Sequence, residues 1–319
     1  MMYDIAIVGA SGLVGRMFLK GLEEYNIKIG KLTLYASKRS AGQKLMFRDK
    51  EYEIIELKED NIGNHDFALF SAGGKISERF AKIFTQKGTV VIDNSSYYRM
   101  YDSVPLLVPE VNMDSYSGEL LIANPNCSTI QTVVLLKALE ELEINRVIVS
   151  TYQAVSGSGR NGINDLKRTL KRKNPLFYPY AIANNCIPQI DKFSKDGYTY
   201  EEEKMINETK KIMDINLTAT CVRVPITNSH SISVNIQFNK EFDIEDVKNR
   251  LKRFPGIMYY EEYPVNEMSN DQDYCLVGRV RRDYSQENTL HLWCVADNIR
   301  KGAAINAVQI LDRIIKEKL

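Results

Sequence analysis

The chain has 319 residues, of which 44% are hydrophobic and 26% charged. This length indicates about two domains, or one large one, able to bury a core without disulfides or metals. The net charge of +1 argues against a nucleic-acid-binding protein, which needs a basic excess to neutralise phosphates. No apolar run approaches the roughly 20 residues of a membrane-spanning helix, so we expect neither nucleic acid nor membrane as a partner.

The cysteines and the N-terminus both indicate a reducing compartment. The five cysteines are spread widely and form no Cys-x-x-Cys pair, which predicts reduced thiols rather than disulfides or a zinc site. The first residues lack the basic segment and cleavage site of a signal peptide. We therefore expect a cytoplasmic protein without a metal centre.

The first part of the chain alternates predicted strands with predicted helices. An apolar strand at residues 5–8 leads through glycines into a helix that extends to about residue 25. This alternation predicts a Rossmann-type parallel sheet with right-handed connections. The later elements of this part are strands at residues 31–36, 66–71, 89–93 and 120–123 and a helix at residues 76–87.

After Cys127 the pattern predicts a second, α+β domain with a mostly antiparallel sheet. The tail at residues 299–319 has apolar residues at helical spacing, and we expect it to pack on the first domain. We assign residues 1–126 plus 298–319 to one domain and residues 127–297 to the other. The predicted elements are an amphipathic helix at 129–142, helices at 162–170 and 199–213, and strands at 145–154, 218–224, 231–238 and 290–295.

Three glycines, Gly9, Gly12 and Gly15, separate the first strand from the first helix. Glycines in this context allow a tight turn, and the helix N-terminus offers unpaired N–H groups to a pyrophosphate. A glycine triplet alone is weak evidence, since it also occurs in purely structural turns. The strand before it and the helix after it make a dinucleotide site the better interpretation.

The end of the second strand indicates which dinucleotide binds. An NAD site usually has Asp or Glu about 20 residues after the glycines, to bond the ribose hydroxyls. Here the chain has Ser37, Arg39 and Ser40 and no carboxylate. These side chains suit a 2′-phosphate, so we predict NADP rather than a solvated basic loop.

Cys127 follows a predicted strand and precedes a predicted helix, in the segment Asn124-Pro125-Asn126-Cys127-Ser128-Thr129. The dipole and free N–H groups of a helix N-terminus lower a thiol pKa, and a thiolate suits attack on a carbonyl. The alternative is a buried structural cysteine, the commoner state of a free thiol. We assign that state to the other four: Cys186, Cys221, Cys275 and Cys294.

Of the three histidines, His230 is the best candidate for a proton-transfer group. It lies in a polar segment that we predict to be a turn between strands, seven residues after Arg223. An arginine near a histidine suits a site that binds an anion and moves a proton. We expect His65 in an exposed turn and His291 as a structural residue on a strand.

The chain resembles the aspartate-β-semialdehyde dehydrogenases. The matching segments keep the family's order over nearly the whole chain and are specific when taken together. They are Gly9-Ala-Ser-Gly-Leu-Val-Gly15, Ser71-Ala-Gly-Gly74, Val91-Ile-Asp-Asn-Ser-Ser96, Val108-Pro-Glu-Val-Asn112, Asn124-Pro-Asn-Cys-Ser-Thr129, Ser150-Thr-Tyr-Gln-Ala-Val-Ser-Gly157, Thr220-Cys-Val-Arg-Val-Pro225, His230-Ser231, Ala296-Asp-Asn298 and Lys301-Gly-Ala-Ala304.

The resemblance implies NADPH-dependent reduction of L-aspartyl 4-phosphate to L-aspartate 4-semialdehyde with release of phosphate, in lysine, threonine and methionine biosynthesis. The family's nucleophile, which forms a thioester, falls on Cys127, and its acid/base falls on His230. Gln153 matches the glutamine that orients the reacting carbonyl. Ser229 departs from the small Gly or Ala that relatives often have before the histidine.

The resemblance also implies the binding residues. Arg223 falls where the family binds the substrate carboxylate, and Glu201 falls near the substrate amino group. Arg99 and Lys204 fall on phosphate-binding positions, with Asn126 beside them. The implied cofactor residues are Gly9, Ser11, Gly12, Leu13, Val14, Ser37, Arg39, Ser40, Ser156, Gly157 and Asn298.

Three alternatives stay open. N-acetyl-glutamyl-phosphate reductases share the chemistry, but their pattern has Gly where this chain has Asn126. A malonyl-CoA reductase is closer and harder to exclude by motif. A non-catalytic paralogue would be expected to lose the nucleophile or the base, and both residues are present here. The family further implies a homodimer, through the second domain, or a homotetramer.

Overall fold

The computed structural model describes residues 1–317, and in it the chain forms two compact units. The first unit joins residues 1–125 to the chain from residue 303 onward, and the second is Asn126–Gly302. Asn126 and residues 298–302 therefore lie in the second unit, although the sequence analysis placed them in the first. No helix within residues 1–317 is long and apolar enough to cross a bilayer.

The described elements number as follows in chain order. The strands are β1 Tyr3–Val8, β2 Ile29–Ala36, β3 Lys44–Phe47, β4 Lys50–Glu56, β5 Phe67–Phe70, β6 Val90–Asp93, β7 Leu121–Ala123, β8 Ile144–Gln153, β9 Leu217–Arg223, β10 His230–Phe238, β11 Ile257–Tyr259, β12 Cys275–Arg282 and β13 Thr289–Ala296. The helices are α1 Leu13–Glu24, α2 Gly74–Gln86, α3 Pro109–Asn112, α4 Cys127–Lys137, α5 Gly159–Leu170, α6 Tyr200–Met213, α7 Ile244–Arg253, α8 Asn266–Ser269 and α9 Ile305–Glu317.

The first unit has a seven-stranded sheet in the order β3-β4-β2-β1-β5-β6-β7. Only the β3–β4 pair is antiparallel, and β1 pairs in parallel with both of its neighbours, so that Ile7 lies beside Leu34 and Leu69. Strands buried on both faces read as continuous apolar runs, which is why they are recognisable in the sequence. The predicted Rossmann-type sheet is confirmed.

The sequence analysis missed the β3–β4 hairpin. Its two-residue turn is Arg48-Asp49, and both residues have positive φ angles, 47° and 61°. Such a turn usually contains Asn-Gly or Asp-Gly, and neither pair is present here. Leu45 and Phe47 do alternate with exposed residues, so a period-two signal was present.

The tail helix packs within the first unit, as predicted. It begins at Ile305, after a π-helical turn at Arg300–Ala304. Its apolar face contributes Ala307, Ile310 and Ile314 to a core shared with α1 and the sheet. The prediction also covered Lys318 and Leu319, which lie outside the described residues.

The second unit has a six-stranded sheet in the order β11-β12-β13-β10-β8-β9. The three central pairs are antiparallel, whereas β11–β12 and β8–β9 are parallel. The mostly antiparallel sheet is therefore confirmed. The parallel β8–β9 pair matters for function, because it brings two carboxyl ends to one edge of the sheet.

Helix α4 differs from its prediction as an amphipathic helix over residues 129–142. It ends at Lys137, and residues 128–136 are all buried. The helix packs between α6 and strands β10, β12 and β13, so no face is left for solvent. Its polar residues, including Gln131 and Thr132, suggested an exposed face that does not exist.

Candidate active site

The glycine turn of the first unit has room for backbone only. Gly9 has a φ of 91°, and a Cβ there would lie 2.8 Å from the carbonyl group of Ser71. A Cβ on Gly15 would lie 2.3 Å from the Gly9 carbonyl oxygen, so strand and helix approach too closely for a side chain. Gly12 caps α1, and its N–H donates to Gly9 O at 3.0 Å.

This turn fits the phosphates of a dinucleotide. The first turn of α1, which begins with Leu13 and Val14, contains no carboxylate, and Gly12 has no side chain that could cap it. The first N–H groups of a helix have no acceptor within the helix and attract anions. The residues present therefore suit a pyrophosphate, which glycine lets approach the backbone.

The segment after β2 forms a short 3₁₀ turn, Lys38–Ser40, that begins from Ser37. The Ser37 and Arg39 side chains are exposed, whereas Ser40 is buried. The Ser40 N–H donates to the Ser37 carbonyl at 2.8 Å, which holds the turn closed. An exposed guanidinium beside two serines can donate hydrogen bonds to a phosphate, whereas a ribose hydroxyl is usually bound by a carboxylate that accepts its hydrogen bond.

Arg99 lies in a loop that a buried carboxylate organises. Asp93, at the end of β6, accepts hydrogen bonds from Ser77 Oγ at 2.7 Å and from the Ser95 N–H at 2.9 Å. Burial raises the pKa of Asp93, although these bonds and Arg99 oppose the shift. The Arg99 guanidinium is buried and donates to the Asn94 carbonyl at 2.9 Å.

In the second unit, Cys127 is the first residue of α4 and is partly exposed. Asn126 caps the helix, and its Oδ1 accepts hydrogen bonds from the N–H groups of Ser128 at 2.9 Å and Thr129 at 3.3 Å. A thiol in the first turn of a helix is stabilised as the thiolate by the helix dipole. The predicted position at a helix N-terminus is therefore confirmed.

Two buried carboxylates of α6 hold Asn126. Glu208 accepts the Asn126 N–H at 2.6 Å, and Glu201 accepts from Asn126 Nδ2 at 2.9 Å. Glu201, Met205 and Glu208 lie at helical spacing on one buried face. The sequence analysis missed Glu208, although this spacing was the signal that could have found it.

Glu201 also pairs with Lys204, which contacts Glu201 at 3.3 Å and Asp191 at 3.0 Å. Burial alone would raise the pKa of Glu201, but the charges of Lys204 and Arg223 and the bond from Asn126 hold it below its usual value. Burial likewise opposes the charge of Lys204, and the two carboxylates raise the pKa of Lys204 in spite of it. Both groups are therefore charged near neutral pH.

Gln153, Arg223 and His230 meet at one edge of the second sheet. Gln153 ends β8 and pairs in parallel register with Arg223, which ends β9. His230 begins the antiparallel neighbour of β8, where Ser231 pairs with Tyr152. The three side chains are all buried, and Arg223 Nη1 also donates to the Ala154 carbonyl at 2.7 Å.

His230 is fully buried and neutral. The Ala154 N–H donates to its Nδ1 at 3.0 Å, so the neutral ring carries its proton on Nε2. Within the described chain this Nε2 has no hydrogen-bond partner. Burial, and then the charge of Arg223, lower the pKa of His230 to about 3. The ring is therefore set to donate a hydrogen bond from Nε2.

The loop after β8 lies against these groups. A Cβ on Gly157 would lie 3.0 Å from Arg223 Nη1 and 3.3 Å from His230 Nε2, so glycine keeps the space beside both open. Ser156 Oγ is bonded to Asn298 Oδ1 at 3.1 Å, and that oxygen also accepts the Ser229 N–H at 2.9 Å. The predicted residues of the second unit thus form one connected group.

Three placements from the sequence analysis were wrong. His230 starts strand β10 rather than lying in a turn, because it pairs with Ala296 of the neighbouring strand β13. His65 is buried, with Nε2 at 3.3 Å from Tyr35 Oη, rather than exposed. Cys186 is exposed rather than structural, whereas Cys221, Cys275 and Cys294 are buried as predicted.

Comparison with known proteins identifies the family. Residues 4–118 match the family model of the semialdehyde dehydrogenase NAD binding domain, and residues 136–301 match that of the semialdehyde dehydrogenase dimerisation domain. The aspartate-semialdehyde dehydrogenase of Aquifex aeolicus is 49% identical over 339 aligned residues, with 100% of both chains covered. The chain belongs to the aspartate-semialdehyde dehydrogenase family.

Other relatives agree with this assignment. The aspartate-semialdehyde dehydrogenase of Bacillus subtilis is 44% identical, with 99% of this chain and 98% of the relative covered. A crystal structure of aspartate semialdehyde dehydrogenase II from Vibrio cholerae, complexed with ASA, is 39% identical, with full coverage of both chains and a TM-score of 0.95. Membership supports an oxidoreductase of amino-acid biosynthesis with a nicotinamide-dinucleotide-binding domain.

Proposed function

We propose that this chain reduces L-aspartyl 4-phosphate to L-aspartate 4-semialdehyde with NADPH, releasing phosphate, in the cytoplasm and on the route to lysine, threonine and methionine. The observation that carries the proposal is the group formed by Cys127, Glu201, Arg223 and His230 in the second unit. It combines a nucleophile at a helix N-terminus, a fixed cation, a fixed anion and a neutral hydrogen-bond donor.

The chemistry begins with Cys127. Its thiolate attacks the acyl carbon, the C–S bond forms, and the C–O bond to phosphate breaks, which leaves a thioester on the enzyme. Gln153 orients the carbonyl, and His230 Nε2–H donates to the oxygen on which charge develops. Bound NADPH supplies the hydride that reduces the thioester. The C–S bond then breaks, which releases the aldehyde and restores the thiolate.

Substrate selection rests on paired charges. Arg223 can bind the substrate α-carboxylate through two N–H groups, a geometry that lysine cannot copy. Glu201 suits the α-ammonium group because Lys204 and Arg223 keep it ionised. We assign Lys204 and Arg99 to the substrate phosphate, with Asn126 beside them. An N-acetylated substrate has no ammonium group, so Glu201 would lose its partner.

A substrate comparison tests this function. The purified chain is assayed with aspartate semialdehyde plus phosphate, with N-acetylglutamate semialdehyde plus phosphate, and with malonyl-CoA. We expect kcat/KM for the first to exceed the other two by at least about 100-fold, because a site built for a charged group rejects analogues that lack it. A preference for either of the others would refute the proposal and select the corresponding reductase. Activity with none of them would favour a non-catalytic paralogue.

Arg39 is expected to select NADP over NAD. The Arg39→Ala variant should raise KM for NADP by roughly 10- to 100-fold, the loss of one charge-assisted interaction with phosphate, and leave KM for NAD within about twofold. Steady-state kinetics with both cofactors measures this. Lys38→Ala is the matched control, since Lys38 is an exposed cation in the same turn. Equal effects of the two variants on NADP would contradict the assignment.

We also propose that the chain forms a homodimer through its second unit. The sheet of this unit carries a cavity of about 370 Å³ lined by apolar and basic side chains, including Tyr152, Tyr263 and Trp293. Light scattering should give twice the mass of one chain, and Tyr263→Asp should shift it toward the monomer, because burial of a lone carboxylate is costly. A monomeric wild-type chain would refute this assembly, and four copies would indicate the tetramer.

A further inference from the structure

Asp297 lies directly after β13, is buried, and is bonded through all three of its oxygens. On one side it organises the following turn. Its Oδ1 accepts the N–H groups of Ile299 at 2.9 Å and Arg300 at 3.0 Å, and its carbonyl accepts the Gly302 N–H at 2.9 Å. Gly302 packs against the nucleophile, since a Cβ on it would lie 2.9 Å from Cys127 Cβ.

The second carboxylate oxygen of Asp297 holds the segment before the histidine. Oδ2 accepts from Asn228 Nδ2 at 2.9 Å and from the Asp271 N–H at 3.2 Å. Asn228 is followed by Ser229, which is buried and has a φ of 71°. A serine in this region of φ is strained and persists only when its surroundings fix it. His230 comes next, so the strained residue Ser229 directly precedes the histidine.

We propose that Asp297 is a positioning residue that couples the His230 segment to the turn that packs against Cys127. The proposal rests on the proposed function, in which Cys127 and His230 take part in one reaction. One carboxylate group fixes both segments, so the angle of the histidine and the space beside the thiol are set together. Displacement of a catalytic group by about 1 Å can lower a rate by about 100-fold.

The chemistry of the carboxylate provides the test. In Asp297→Asn the remaining oxygen can still accept from Ile299 and Arg300, but the NH₂ group faces two donors, Asn228 Nδ2 and the Asp271 N–H. The variant therefore breaks the histidine side and spares the turn. We expect kcat to fall by roughly 10- to 100-fold, with KM within about threefold of wild type.

Reversal of the donor and the acceptor should restore the contact. In the double variant Asn228→Asp with Asp297→Asn, the carboxylate introduced at position 228 can accept from the NH₂ group introduced at position 297, but the bond from Asn228 Nδ2 to Asn270 Oδ1 at 3.1 Å is lost. We expect kcat to recover at least about fivefold relative to Asp297→Asn alone. The control is Asp273→Asn, which removes a carboxylate that pairs with Arg300 at 2.6 Å, and it should leave kcat unchanged. Recovery in the double variant supports the proposal, whereas wild-type kcat in Asp297→Asn would overturn it.

Hydrogen exchange tests the coupling without any substrate. Asp297→Ala should accelerate amide exchange in both residues 227–231 and residues 298–303, whereas Asp297→Asn should accelerate it in residues 227–231 and not in residues 298–303. Unchanged exchange of residues 227–231 in Asp297→Ala would overturn the coupling. Because this measurement needs no turnover, its result separates a failure of the coupling from a failure of the proposed reaction.

Discussion

The Cys127→Ala variant is expected to lose phosphate-dependent oxidation of aspartate semialdehyde by about 10⁴-fold or more. The loss follows because no other group at the start of α4 can form the thioester, and removal of a nucleophile costs about this much in other covalent enzymes. Cys127 is only partly buried, so the folded chain should survive the change. The measurement is the initial rate at saturating cofactor, together with the melting temperature of the same sample.

The control for this variant is Cys186→Ala. Cys186 is exposed, so its replacement removes an accessible thiol and leaves the backbone hydrogen bonds between its neighbour Ile187 and Arg223 in place. It should keep full activity and should remove the background reaction with alkylating reagents. In the Cys186→Ala variant, alkylation of Cys127 should abolish activity, and the activity lost should be proportional to the amount of label incorporated. Full activity of Cys127→Ala would refute the thioester route.

The parallel sheet was predictable because its strands are apolar on both faces. Ile5 and Ile7 are buried in the centre of the first unit, and their run is continuous in the sequence. The β3–β4 hairpin escaped because Arg48-Asp49 replaces the residues that usually mark such turns. Elements whose residues follow one period are therefore predictable from the sequence. An element is missed where residues other than Asn or Gly have the positive φ angles of a tight turn.

The position of Cys127 at a helix N-terminus was predictable, and its surroundings were not. Cys127 lies between a strand and a helix that are both legible in the sequence, so its helix N-terminus could be expected. Glu208 holds the same turn from a helix that begins more than 70 residues later, and only the tertiary fold brings it there. His230 was placed in a turn because Asn228 and Ser229 are polar, but these side chains are paired with other polar groups inside the unit.

His230→Asn is expected to lower kcat by roughly 10²- to 10³-fold, the usual loss when a hydrogen-bond donor to a developing oxyanion is removed. Asparagine can keep the bond from the Ala154 N–H through its oxygen, but it has no atom in the place of Nε2. KM should change by no more than about threefold, because Arg223 and Glu201 remain to bind the substrate. A loss below about tenfold would show that water or another group, and not His230, stabilises the developing negative charge.

The same variant has a stability signature whose sign follows from burial. The folded-state pKa of His230 is lowered to about 3, below that of an unfolded histidine near 6.5, so the unfolded chain binds more protons between these values. Its contribution to the free energy of unfolding is complete above about pH 6.5 and decreases as the pH falls, by up to roughly 1.4 kcal/mol per pH unit. Between pH 7 and pH 5 the wild-type chain should therefore lose roughly 2 kcal/mol more than His230→Asn.

Trp293 allows this loss of stability to be measured in the second structural unit, which contains His230. It is the only tryptophan of the chain and lies on β13, in the same sheet as His230, so its fluorescence reports urea unfolding of the second unit. His65, whose pKa burial also lowers, lies in the first unit and contributes in the same direction to that unit instead. His65→Asn is therefore the matched control and should leave the pH dependence of the Trp293 transition unchanged. An equal loss in wild type and His230→Asn would show that burial does not lower the pKa of His230. The ring would then titrate near neutral pH and would not stay the neutral donor that the reaction requires.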